Sequence, residues 1–174
     1  MLRFRGSPAL SDFRLEKLLA GLQERLPSIT DVYAEFIHFV DFSAPLTDSD
    51  REVLDRLLTY GPSTVERRQT REPDLLVAPR PGTISPWSSK ATDIAHNCGL
   101  GRIRRIERGV AYHLNGPLNP AQLAAVAPLL HDRMTEAVLG PDDDPSLLFK
   151  QTEPAPLTTV DILAGGRANL VAAN

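Results

Sequence analysis

A chain of 174 residues has the length of one ordinary domain with a short extension, enough to bury a core of its own. Its 42% hydrophobic and 24% charged residues exclude wholesale disorder and a chain built of membrane spans. Lys and Arg number 19 against 22 Asp and Glu, a formal charge of −3, so there is no broad positive field for a nucleic acid or an anionic membrane, and any phosphate contact has to be local.

Cys98 is the single cysteine and has no internal disulfide partner, and Met1 to Gly6 lacks the apolar core of a signal peptide, so the expectation is a cytoplasmic protein with neither nucleic acid nor membrane among its partners. Fifteen prolines is a high count, and eight of them gather at three joints: Pro62 to Pro73, Pro79 to Pro81, and Pro141 to Pro156.

Leu2-Arg3-Phe4-Arg5 alternates apolar with charged residues and reads as a short strand that Gly6-Ser7-Pro8 stops. From Ser11, Leu15, Leu18, Leu19, Leu22 and Leu26 fall at helical spacing until Pro27. Ile29 to Phe42 is rich in β-branched and aromatic residues and reads as a long strand, with His38 on the face of Phe36 and Val40 as a hydrogen-bonded core or interface histidine. Thr47 and Asp50 form a helix start signal, Val53, Leu54, Leu57 and Leu58 continue the stripe, and Gly61-Pro62 ends it.

The same order then repeats: a strand over Leu75 to Pro79, a helix from Ser85 to Cys98 stopped by Gly99, a strand over Ile103 to Leu114 and a helix from Asn119-Pro120. Ser11 and Ser85 are 74 residues apart, Asp31 and Ile103 72, and Thr47 and Pro120 73. The agreement of these offsets predicts an α+β fold of duplicated β-α-β-α units with helices on one face of each sheet, each unit covering the bare face of the other. The halves are expected at 1–62 and 74–140. Pro128 predicts a kink or a broken helix. Residues 141–174 read as the start of a linker, cut short at Asn174, with a weakly ordered helix beginning near Thr158.

Among candidate sites, Pro79 to Lys90 feeds a strand through a rigid turn into a helix N-terminus, where Ser85 caps, Pro86 takes the first position, and Arg80, Thr83, Ser88, Ser89 and Lys90 add donors suited to an anion. The alternative is a proline-rich turn whose serines only cap the helix. The glycine pattern of a nucleotide-hydrolysing loop is absent. No histidine pair has metal-ligand spacing, Cys98 reads as packing rather than as a nucleophile, and no catalytic or metal residue is assigned. Arg102, Arg104, Arg105 and Arg108 crowd one strand with Glu107 and read as a solvated edge or a protein interface, ahead of an RNA-binding strand.

Three blocks resemble the N-terminal part of the large formylglycinamide ribonucleotide amidotransferase family: Arg5 to Ser11, Pro79 to Gly99, and Ile106 to Tyr112. Shorter similarities at Val32 to Glu35, Leu58 to Pro62 and His131 to Met134 spread the resemblance along the whole chain. It implies a longer ligase of purine biosynthesis, phosphoribosylformylglycinamidine synthase, that uses glutamine, ATP and magnesium, with a synthase core and a glutaminase beyond this segment. It also implies that residues 1–140 look like two copies of the small non-catalytic PurS subunit and brace those parts, without binding a cofactor themselves. Arg80, Thr83, Ser85, Ser88, Ser89 and Lys90 are then expected at the contact with the synthase core or the ribonucleotide phosphate. The alternative is a free-standing PurS-like subunit that assembles with separate synthase and glutaminase chains.

Overall fold

The computed structural model describes residues 1–61, 71–140, 143–150 and 156–174. Strands β1 (Leu2–Pro8), β2 (Asp31–Phe42), β3 (Leu75–Pro79), β4 (Ile103–Asn115) and β5 (Glu136–Leu139) alternate with helices α1 (Asp12–Arg25), α2 (Asp48–Leu58), α3 (Pro86–Asn97) and α4 (Pro120–Leu130), and α5 (Ile162–Ala173) follows a 3₁₀ turn at Pro145–Phe149. The strands form one antiparallel sheet in the order β1-β2-β4-β3-β5. The fold is the α+β arrangement of repeated strand–helix units that the offsets predict, but the units join edge to edge through β2 and β4 into one sheet instead of covering each other's bare faces, because the long strands pair along their whole length.

The two halves meet along β2 and β4, paired from Asp31↔Asn115 to Phe42↔Ile103. Equivalent strands begin 72 residues apart, at Asp31 and Ile103, so the pair Ile37↔Gly109 lies on the local two-fold axis that relates them. Alternation along the strands then sorts side chains by face. Val32, Ala34, Leu75, Val77 and Leu114 pack under α1 and α4 with Leu15, Leu22 and Val126, whereas Val40, Ile103 and Ile106 pack under α2 and α3 with Leu54 and Ala95. Burying each such leucine stabilises by about 1.5–3 kcal/mol before the entropy of ordering is counted.

The opposite face carries Ile37, Phe39, Leu76, Ala78, Ala111 and Leu139, and Leu148 of the 3₁₀ turn packs into that cluster with Phe149 beside it. Asp144 starts this turn by accepting the Ser146 N–H at 2.9 Å. The cluster thus draws on a residue beyond position 140, and α5 buries none of its own residues.

Local differences from the sequence expectations have physical causes. β1 continues through Gly6 to Pro8, because the missing Cβ of Gly6, which would stand 2.6 Å from His38 Cε1, lets the strand pass close over that ring. α4 stays one helix across Pro128: the ring removes an intrahelical hydrogen bond, and burial of Val126 and Leu130 on either side offsets the loss. β5 has no counterpart in the sequence reading: it is only four residues long and follows a turn held by Asp132, which accepts from Met134 N and Thr135 Oγ1. β4 pairs with β3 only over Val110–Tyr112, so its arginine-bearing half is bonded to β2 alone; Arg102 and Arg104 are exposed there, as a solvated edge predicts, whereas Arg105 is drawn inward by the buried Glu107. Cys98 is exposed at the C-cap of α3 rather than packed. Among the described residues no helix is long and apolar enough to cross a membrane.

Candidate functional site

The turn between β3 and α3 is built by backbone geometry first. Gly82 has φ +83°, a conformation that side chains disfavour, and Thr83 closes the turn by donating its hydroxyl to the Arg80 carbonyl at 2.6 Å. Ser85 is the N-cap: its Oγ accepts the Ser88 N–H at 3.0 Å, and Pro86 occupies a first-turn position where no N–H is needed.

The anion at this helix N-terminus is the protein's own. Glu107, fully buried on β4, accepts the Ser85 hydroxyl at 2.8 Å and the Ser85 N–H at 3.2 Å. Arg105, two residues earlier, pairs with Glu107 and donates also to the Thr83 carbonyl and, at 3.4 Å, to Ser88 Oγ. Phe149 of the 3₁₀ turn lies 5.4 Å from the Arg105 guanidinium. A buried ion pair of this kind holds a loop in register more than it adds stability, because desolvation offsets most of the Coulomb attraction.

This separates the candidate residues. Ser85, Ser88 and Thr83 converge on Glu107 and Arg105, and Ser88 is wholly buried. Arg80, Thr83, Ser89 and Lys90 are exposed, and Arg80 leans on the 134–135 backbone through its own N–H to Thr135 O at 3.1 Å. Exposed donors thus ring a turn whose base is fixed to the central strand. The signal that finds Glu107 is its place on the strand after three arginines, which composition alone reads as solvent-facing.

A second cluster occupies the helix-covered face beside the two-fold axis. His38 and Arg108 are directly opposite in the β2–β4 ladder. The Tyr60 hydroxyl lies 2.8 Å from His38 Nε2 and accepts from Arg108 Nη1 at 3.1 Å. The Arg108 guanidinium is held between two rings, 4.1 Å from the Phe36 centroid and 4.6 Å from that of Trp87. Burial first, and then the Arg108 charge, push the His38 imidazole down to about 4, so it is neutral at pH 7. This histidine is the buried, hydrogen-bonded residue that its strand face predicts.

On the other face, Glu35 is buried with Arg5 Nε at 3.6 Å and His113 Nε2 at 3.3 Å. Among the described residues no group of three His, Cys, Asp or Glu is placed to hold a metal ion. His96 Nε2 is engaged with the Ile103 carbonyl at 2.7 Å, which takes it away from Cys98.

These arrangements consist of paired charges, stacked rings and exposed donors around the β3–α3 turn and the β2–β4 ladder. The family model described as formylglycinamide ribonucleotide amidotransferase N-terminal matches residues 35–149.

Proposed function

Because this chain belongs to the formylglycinamide ribonucleotide amidotransferase N-terminal family, we propose that it is the structural and docking domain of phosphoribosylformylglycinamidine synthase, the ligase that converts formylglycinamide ribonucleotide to formylglycinamidine ribonucleotide in purine biosynthesis. The family match, which covers β2 from Glu35 on, all of β4 and the Pro79 to Lys90 turn, is the observation that carries this reading. In this role the domain is non-catalytic alone and works in the cytoplasm. ATP and magnesium belong to the synthase core, ammonia release to the glutaminase, and both parts are its partners.

The contact with the synthase core, or with the phosphate of its ribonucleotide, runs through the exposed rim of the β3–α3 turn: Arg80, Thr83, Ser89 and Lys90. Ser85 and Ser88 serve it from beneath, by fixing the turn to Glu107 and Arg105. A docking element gains from this division between exposed donors and a hydrogen-bonded base, since ordering the base in advance lowers the entropy lost on association.

The test is kinetic. In the assembled enzyme, Arg80→Ala, alone and with Lys90→Ala, raises the nucleotide KM several-fold or weakens retention of the domain by the core. Unchanged kinetics together with unchanged assembly would sink the reading.

A further inference from the structure

Arg102, just before β4, and the three arginines on β4 are not equally compensated. Arg102 reaches Asp50 at 3.4 Å, Arg104 holds both oxygens of Asp41 at 2.8 and 2.9 Å, and Arg105 holds Glu107. Arg108 has no carboxylate partner among the described residues, and a single N–H is committed, to Tyr60. His38, opposite it on β2, is neutral and adds no second positive charge beside it. Stacking between Phe36 and Trp87 covers the faces of the guanidinium and leaves its edge, where the donors are, for a planar anion.

A groove lies beside this cluster. Tyr60 and Trp87 of the cluster line it between α2 and α3, with Leu57 and Ile94 on its walls and Ile106 on its floor. Ile94 is 44% exposed, an apolar side chain left in water at the opening. Lys90 stands exposed on the same groove, with no ion pair among the described residues. Lys90 on this apolar slot and Arg108 beside Tyr60 and Trp87 thus have no carboxylate partner among the described residues, in a chain whose total charge is −3.

We propose that the α2–α3 groove docks a protein segment that presents a carboxylate beside an aliphatic side chain, the carboxylate meeting Arg108 and Lys90 and the aliphatic group covering Ile94 and Leu57. The charge complementarity selects an acidic occupant, and the apolar walls select a peptide over a small anion, which would leave Ile94 and Leu57 in water. The proposal rests on the docking reading above and adds to the β3–α3 turn a second contact of defined chemistry.

The experiment places the photoreactive residue benzoylphenylalanine at position 94 of the assembled enzyme and maps the crosslink by mass spectrometry. The expected product joins the groove to one segment outside this domain, with Asp or Glu within about four residues of the linked aliphatic side chain, one helical turn. Lys90→Glu lowers the yield about tenfold, the effect of a like charge worth 1.4 kcal/mol, whereas Lys90→Arg preserves it. No crosslink, a crosslink to a segment without a carboxylate or to a second copy of this domain, or a yield indifferent to Lys90→Glu overturns the proposal. So does saturable quenching of Trp87, the chain's only tryptophan, by inorganic phosphate, because it identifies a small-anion site instead. If the crosslink fails while Arg80→Ala still alters the nucleotide KM, the groove assignment falls and the docking function stands.

Discussion

Glu35 on β2 and Glu107 on β4 occupy equivalent places about the two-fold axis, each two residues before the Ile37↔Gly109 pair, and both carboxylates are fully buried. They are answered differently. Glu107 has Arg105 and Ser85, whereas Glu35 has His113 and Arg5 and keeps one oxygen, Oε2, without a hydrogen bond. The two halves share the buried acid and differ in what surrounds it.

Glu107→Gln leaves Arg105, only 13% exposed in its side chain, without its counter-charge. Removing one partner of a buried pair costs about 3–5 kcal/mol. At about 2–4 °C per kcal/mol for a domain of this size, Tm falls by roughly 6–20 °C in a thermal melt. Ser85→Ala, which loses the cap and one bond to Glu107, costs about 1–2 kcal/mol. A Glu107→Gln protein that melts with the wild type would refute the pinning role.

His38 makes stability depend on pH with a defined sign. Its folded pKa, lowered from 6.5 to about 4, means that the unfolded chain takes up the proton first, so its contribution is complete above pH 6.5 and is lost as pH falls toward 4. The loss by pH 5 is about 2 kcal/mol relative to pH 7.5. Arg108 and Tyr60 are the charged and titratable groups in contact with the ring. Urea denaturation of wild type and His38→Gln at both pH values measures the difference, which vanishes if the imidazole is not held neutral.

Gly109 is required by space. A Cβ there would lie 2.5 Å from the Val77 carbonyl oxygen, a backbone atom of the neighbouring strand, so Gly109→Ala costs about 1–3 kcal/mol. At Gly101 nothing lies within 4 Å of the built Cβ and φ is not positive, so Gly101→Ala is neutral or stabilises by about 0.4–1 kcal/mol. Chemical denaturation of the two variants separates the effects, and equal midpoints would contradict the close approach.

Leu148 is 1% exposed against the sheet, whereas α5 buries nothing. Leu148→Ala therefore costs about 2–5 kcal/mol. A chain ending after Lys150 keeps the wild-type Tm and one ending after Gly140 does not, as differential scanning calorimetry would register.

The helices and long strands are legible because their signals are local. Thr47 and Asp50 make the reciprocal capping box that their spacing announces, and leucines at 15 and 22 are buried as their period requires. Strand order is not local. Nothing near Arg105 tells that β2 pairs along β4, and that pairing is what turns a run of charged residues into a buried ion pair. The six candidate residues of the β3–α3 turn come from a contiguous block, whereas His38, Tyr60, Trp87 and Arg108 converge from four elements or their flanks, so no spacing rule gathers them.

The seam between β2 and β4 would be a subunit interface if the halves were separate chains; carried on one chain, the halves meet at an effective concentration set by the connection between them and not by how much protein is present. The join also permits asymmetry. Two identical halves would carry each side chain twice, yet the equivalents of Phe36 and His38 are Arg108 and Val110, so the stacked guanidinium occurs on one side of the axis alone. A partner that reads this cation meets a single polarity, which fixes a stoichiometry of one per chain and one orientation of docking.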